Sequence, residues 1–241
     1  MYIYFDQKET DVTAIAAQYP VTCVTDIDEI PEGALVLHYQ PDMVSLECGN
    51  LEMHGDLTTM LPRLKRLNTE MLIKAAKPGN FPQGALAIDA TAGMGEDSLL
   101  LAAAGFRVKL FEYNAVIAAL LQDSLQRAAA IPELADIVAR MEVVPGDSIR
   151  GIRELEEHAD VIYLDPMFPE RQKSGLIKKK FQLLQQLERP CDDENGLLTA
   201  AMEAKPSKLI IKRPLKGPQL AGVMPGYTVK GKAIRYDCFA F

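Results

Sequence analysis

Residues 85–105 read ALAIDATAGMGEDSLLLAAAG, and the fold follows from them. ALAIDA has the length and apolar content of a buried strand, TAGMG is a turn, and EDSLLLAAAG is a helix ending at Gly105. The alternation continues downstream. RVKLFEYN (107–114) is a second strand and AVIAALLQDSLQRAAA (115–130) a second helix. MEVVPGDS (141–148), DVIYLDP (160–166) and KLIIKRP (208–214) are further strands, and YTVKGKAIRYDCFAF (227–241) has the pattern of a terminal hairpin. Strands alternating with helices imply right-handed crossovers. The expected fold class is α/β: a doubly wound, mainly parallel, Rossmann-like sheet.

Upstream the pattern is less regular. IYF, VTCVT, ALVLHY and MVSLE are short strands and Asp11 to Tyr19 a helix, so a small N-terminal α/β domain is expected over residues 1–60. A single helix from Leu61 to Ala76 is expected to open the larger domain, 61–241, before KPGNFPQG (77–84) breaks the chain. The 241 residues are 48% hydrophobic and 24% charged, an ordinary globular composition. No apolar run approaches the ~18 residues of a bilayer span, and MYIYFDQKETD lacks the layout of a secretory leader. Cys23, Cys48, Cys191 and Cys238 are scattered, with no C-x-x-C pair, which reads as free thiols in a reducing compartment. A cytoplasmic location without a membrane partner is expected. His38, His54 and His158 have no ligand spacing, so no metal site is expected either.

In open α/β sheets the ligand lies beyond the carboxyl ends of the strands. Gly93 and Gly95 there allow a sharp turn and close backbone approach, but Gly93-x-Gly95-x-x-Ser98 lacks the third glycine of a dinucleotide fingerprint. Glu96 and Asp97 open the following helix, where a pyrophosphate would otherwise sit, and they would repel it. They equally suit the helix dipole as first-turn acids. S-adenosyl-L-methionine carries an ammonium and a sulfonium and no phosphate, so it matches an acidic, glycine-lined pocket better. Glu112, 19 residues after Gly93, stands where a carboxylate accepts ribose hydroxyls. Asp147 and Ser148 end the next strand, placed either for an adenine amino group or as a turn or helix cap.

DVIYLDPMFP carries the chemistry. Asp165, Pro166 and Phe168 put a carboxylate, a constrained carbonyl and an aromatic ring at the mouth of the sheet. The order resembles the D/N-P-P-Y/F motif of methyltransferases that act on exocyclic amines. An aromatic amine is a poor nucleophile because its lone pair is delocalised. Two acceptors that hold its hydrogens turn the lone pair toward a methyl donor, and a stacked ring adds roughly 1–3 kcal/mol. Rate then comes mostly from positioning.

TAGMGED, LFEYN and DPMFPERQKSGLIKKK resemble the RsmJ family, bacterial S-adenosylmethionine-dependent 16S ribosomal RNA guanine-N2 methyltransferases. The resemblance runs from about Ala85 to the carboxyl terminus. It implies a class I methyltransferase domain behind a small N-terminal domain, and methylation of one guanine amino group in 16S ribosomal RNA or the small ribosomal subunit. By motif position it implies cofactor contacts at Glu96, Asp97, Glu112, Tyr113, Asp147, Ser148 and Asp165. The chain departs from the family at Glu96 and Tyr113, where basic residues are usual, and at 61–76, which holds no glycine.

The net charge is −7, but it is unevenly spread. Residues 166–241 hold 14 basic against 7 acidic side chains, leaving 12 and 26 in the first 165. Arg171, Lys173, Lys178 and Lys179 follow the reaction motif and are candidates for RNA phosphates, as are Lys212 and Arg213 at the next strand end. Two other readings stay open: a non-catalytic S-adenosylmethionine- or RNA-binding ribosome-assembly module, and a methyltransferase for another nucleic-acid amine. A dehydrogenase ranks last.

Overall fold

The computed structural model describes residues 1–6, 10–166, 183, 187 and 193–241. A larger sheet holds seven strands: β6 (Leu86–Asp89), β7 (Arg107–Glu112), β8 (Met141–Pro145), β9 (Val161–Leu164), β10 (Lys208–Pro214), β11 (Tyr227–Lys230) and β12 (Ile234–Ala240). Their order is β11-β12-β10-β9-β6-β7-β8. β6 to β10 run parallel, and β12 is antiparallel to both of its neighbours.

Side chains on these strands alternate between two cores. Ala87, Val161, Tyr163 and Ile210 face one cluster, and Leu86, Ile88, Ile162, Leu164, Leu209 and Ile211 face the other. The period of two sends neighbours to opposite faces, and both faces are covered, which is why the strands read as unbroken apolar runs. The first face is covered by α3 (Met71–Ala76), α4 (Glu96–Ala103), α5 (Ala115–Ala128) and α6 (Pro132–Val138). The second is covered by α7 (Ser148–Arg153) and α8 (Glu194–Glu203). Each fully buried Leu or Ile contributes about 1.5–3 kcal/mol.

A second sheet has the order β2-β1-β3-β4-β5, from β1 (Tyr2–Phe5), β2 (Thr22–Val24), β3 (Leu35–Tyr39), β4 (Val44–Cys48) and β5 (Leu51–Met53). β1 pairs parallel with β2 and β3, and β3-β4-β5 is an antiparallel meander. Its core is shared: Ile3, Leu37 and Leu46 pack with Val116, Ile117 and Leu120 of α5. α1 (Thr13–Gln18) packs beside them through Ile15.

The single helix expected over 61–76 is instead broken into α2 (Leu61–Leu64), a 3-10 turn (Leu67–Thr69) and α3. Thr69 Oγ1 donates to the Arg66 carbonyl at 2.8 Å, a local bond that competes with helix, and Glu70 is extended at ψ 132°. β5 was not anticipated, although Gly49-Asn50 before it is a hairpin turn signal. Among the described residues no helix is long and apolar enough to cross a membrane.

Gly151 in α7 gives a direct test of this packing, because a Cβ there would run into the Phe111 ring. Alanine normally favours a helix interior by about 1 kcal/mol over glycine. Gly151→Ala is expected to reverse that sign and destabilise by about 1–3 kcal/mol in urea unfolding. An equal or higher midpoint would contradict the packing of α7 on β7.

Candidate functional site

The strand order reverses at β6: the chain leaves through α4 to β7 on one side and returns through β9 on the other. Such a switch point opens a crevice beyond the strand ends. A cavity of about 570 Å³ lies there, of a size suited to a nucleoside-sized ligand.

Of the residues singled out in the sequence, Gly93, Glu112, Tyr113, Asp147, Ser148, Asp165 and Pro166 line this cavity together. Gly93 takes a left-handed φ of 54°, and nothing lies within 4 Å of where its Cβ would be. Glu112 bridges two loops, accepting from Gly93 N and Asn114 N at 2.8 Å each. Asp147 caps α7 by accepting from Ile149 N at 2.9 Å, so the cap and the cavity wall are one residue. Asp165 is anchored through its backbone N–H, which donates to Thr91 Oγ1 at 2.7 Å.

Three of the expected cofactor residues are not brought to the cavity wall. Gly95 begins α4 at φ 76°, and a Cβ there would meet Leu121 Cδ1 at 2.7 Å, so it serves the turn and the core. Glu96 is exposed on the first turn of α4. Asp97 turns away, toward β9 and β10. It lies 2.8 Å from Lys212 Nζ, accepts from Tyr163 Oη at 2.6 Å and stands 3.9 Å from Arg63. Phe168, Arg171, Lys173, Lys178 and Lys179 lie outside the described residues.

The phosphate role expected of Lys212 and Arg213 is corrected. Lys212 Nζ bridges Asp97 and Asp165, at 2.8 Å from each. Arg213 is 1% exposed, donates to the Pro218 carbonyl at 2.8 Å and faces Glu194 at 3.6 Å. Adjacent strand residues point to opposite faces, so two neighbouring cations on β10 do not act on one ligand.

Charge sets the protonation states. Burial alone would raise the Asp97 carboxyl, but Lys212 and the hydroxyl of Tyr163 outweigh it and hold it below the usual carboxylate value. Burial likewise opposes the Lys212 ammonium, and the two carboxylates more than restore it. Asp89 lies beneath the cavity floor, 1% exposed, and accepts from Ser98 Oγ at 2.5 Å and Thr91 N at 3.0 Å. Burial pushes its carboxyl up to about 7, helped by nearby Asp97 and Asp165.

The N-terminal part of the chain also reaches the cavity, through Gln18 at the end of α1 and Tyr19 just after it. Gln18 Nε2 donates to the Tyr113 carbonyl at 2.6 Å and its Oε1 accepts from Ala115 N at 2.9 Å. Asn114, the cap of α5, donates to Tyr19 Oη at 2.6 Å. Sequence reasoning did not find Gln18 or Tyr19, which carry no local motif. Thr91, at the strand end before the glycine loop as its place in the sequence indicates, lines the cavity and accepts from Asp165 N.

An open, mainly parallel sheet with an acidic crevice at its switch point defines a class I methyltransferase fold. In agreement, the crystal structure of a SAM-dependent methyltransferase from Neisseria gonorrhoeae superposes with a TM-score of 0.76 at 28% identity, covering 100% of this chain and 96% of that one. The chain belongs to the family described as "Putative SAM-dependent methyltransferase", whose profile matches residues 49–241. It is similar to ribosomal RNA small subunit methyltransferase J of Stutzerimonas stutzeri, 43% identical over 173 residues, which are 70% of this chain and 66% of that protein. The protein of the same description from Pseudomonas syringae pv. tomato is 42% identical over 173 residues, 70% of this chain and 63% of that protein. The chain therefore spans just under two thirds of the length of these curated relatives.

Asp89 yields a pH prediction. Folded, it keeps its proton up to about pH 7, whereas unfolded it releases it near the ordinary aspartate value of 3.8. The folded state thus binds more protons between these limits, and its contribution is present below about pH 4 and lost as pH rises through about 7. Asp89→Asn removes this component. Urea unfolding at acidic and mildly alkaline pH should show the variant gaining on the wild type, by on the order of a few kcal/mol, toward the alkaline side. An unchanged difference would refute the buried-acid assignment.

Proposed function

We propose that this chain transfers a methyl group from S-adenosyl-L-methionine to the exocyclic N2 amino group of a guanine in 16S ribosomal RNA. The observation that carries the reading is the position of Asp165. It stands at the cavity mouth beside Pro166, with its backbone tied to Thr91 and its carboxylate tied to Lys212.

The donor set of the cavity fits the cofactor. Glu112, Asp147 and Asp165 surround the space with carboxylates, which suits a ligand bearing an ammonium and a sulfonium. Bound there, S-adenosylmethionine supplies an electrophilic methyl group. The chain itself binds and orients. Glu112, held by two backbone amides, takes the ribose hydroxyls, and Asp147 with Ser148 takes the adenine side. Gly93, with open space where a Cβ would stand, would let the backbone approach the ligand, and Tyr113, 64% exposed at the rim, would cover it. The Asp165 carboxylate and the Pro166 carbonyl accept the two amino hydrogens of the guanine and turn its lone pair toward the methyl group, and the proton lost as the N–CH3 bond forms passes to the Asp165 carboxylate and on to solvent. Phe168 is assigned to stacking on that base, and Arg171, Lys173, Lys178 and Lys179 to its flanking phosphates. The target nucleotide leaves its stack to reach Asp165.

The relatives named as small-subunit ribosomal RNA methyltransferases support the choice of RNA. The N-terminal sheet is assigned to a small domain over residues 1–60, attached to a methyltransferase unit over 61–241. A cytoplasmic location follows from the proposed substrate.

The test uses methyl-labelled cofactor with unmodified 16S ribosomal RNA and with small subunits lacking the modification. Label at guanine N2 is expected with one of them. Cofactor binding with no label in either would favour the non-catalytic reading. Asp165→Ala is expected to lower transfer by at least about 100-fold while thermal unfolding stays near that of the wild type.

Lys212 is a positioning residue. Replacing it with Met leaves Asp97 and Asp165 facing each other without the cation. Lys212→Met should lower kcat by about tenfold or more with KM for cofactor little changed, and Lys212→Arg should recover part of the loss. An unaltered kcat would remove Lys212 from the mechanism.

A further inference from the structure

Asp165 sits at the seam between two halves of the sheet that differ in charge. The cavity half, under β6, β7 and β8, is walled by acids. The other half, at the same end of β10, β11 and β12, is basic. Ile211 pairs with Leu164 and Pro214 with Ile234, so Lys212 lies level with Asp165, and the 230–233 turn closes the hairpin just beyond. Leu215 N donates to the Ala233 carbonyl at 3.0 Å, which brings Lys216 to the same end as Lys230 and Lys232.

The segment before α3 joins them. A Cβ on Gly231 would collide with the Met71 side chain, so α3 begins against the hairpin tip. Arg63 reaches Glu70 at 2.8 Å and approaches Asp97 at 3.9 Å, so residues 63–71 lie between the site and that tip. Lys65 and Arg66 follow Arg63 directly. Lys65, Arg66, Lys216, Lys230 and Lys232 are all exposed, and among the described residues none forms an ion pair. The neighbouring acids are engaged: Glu70 by Arg63, Asp97 by Lys212 and Asp237 by Arg235 at 2.9 Å. Glu96 is exposed at the start of α4, where its field falls on Arg63.

We propose that Lys65, Arg66, Lys216, Lys230 and Lys232 form a phosphate-binding rim that holds the RNA strand on the side of Asp165 away from the cofactor cavity. The proposal rests on the RNA substrate argued above and names a surface on its described residues. Cations fixed on a hairpin tip and a short turn hold a backbone in register without reading its bases. Each phosphate neutralised releases counterions, so the contribution of the rim is read as salt dependence. A strand held there passes Asp165 and delivers an unstacked base toward the methyl donor on the opposite side.

The test compares the wild type with Lys216→Ala/Lys230→Ala/Lys232→Ala, using unmodified 16S ribosomal RNA titrated between about 50 and 200 mM salt. Affinity is expected to fall about tenfold or more, and the slope of log K against log salt to become shallower by about 2, at about 0.7 per phosphate contact on single strands. KM for RNA should rise, while kcat at saturating RNA, cofactor affinity and thermal unfolding stay level. The corresponding triple arginine variant should retain binding. If the wild type methylates RNA and the alanine variant keeps both affinity and slope, the rim is overturned and the proposed function stands. A wild type that binds cofactor but methylates no RNA overturns the substrate reading, and the rim with it. Loss of binding to duplex DNA with KM for RNA unmoved assigns the surface to another polyanion and also overturns the proposal.

Discussion

Lys212 is shared between two carboxylates, and the geometry of the site depends on that sharing. Asp97 comes from the helix that follows the glycine loop, and Asp165 from the strand on the other side of the switch point. Without a cation between them, the two acids would repel at short range in a half-buried setting. With it, α4, β9 and β10 are locked to one another by a single ammonium. The hydroxyl of Tyr163 fixes Asp97 from below, and Arg63 approaches it from the segment before α3. The Asp165 carboxylate is thus held from behind by Lys212, which does not line the cavity, while its backbone is held by Thr91, which does.

The cavity side is built differently, from backbone amides. Glu112 takes the N–H of Gly93 and of Asn114, so the glycine loop and the turn into α5 are bound to one side chain. Gln18 then holds the same turn from outside, through Tyr113 and Ala115. Because α5 also completes the core of the N-terminal sheet, that sheet and the cavity wall share a support.

Much of the parallel sheet was legible because β6, β9 and β10 are buried on both faces and announce themselves as apolar runs bounded by Gly, Pro and Asp. Glu112, Asp147 and Asp165 were legible for a related reason, since a strand end in such a sheet has a known position relative to the crevice. What failed was orientation. Asp97 lies only four residues from Gly93, yet one turn of helix carries it to the far side of Asp165. Lys212 and Arg213 looked like one basic patch in the chain and are split by the strand period. The breaks within 61–76 depend on Thr69 and Glu70, whose preferences are weak until the hairpin tip packs against Met71. Gln18 is a polar residue on a short helix, and its partners lie about a hundred positions away.

Net charge is a poor guide to what such a molecule binds. A total of −7 does not exclude a polyanion, because the carboxylates of Glu112, Asp147, Asp165 and Asp193 line the cavity while exposed cations gather at the hairpin tip. The Debye length at physiological salt is about 8 Å, so a phosphate at the hairpin tip responds to Lys230 and Lys232 more than to the distant acidic body. Asp165 lies on the line where the two fields meet, and Lys212 sets its local balance. Under the proposed reaction a cation must reach Asp165 from one side and a polyanion from the other. A sheet that is acidic on one half of its active-site end and basic on the other meets both demands without either ligand opposing the other.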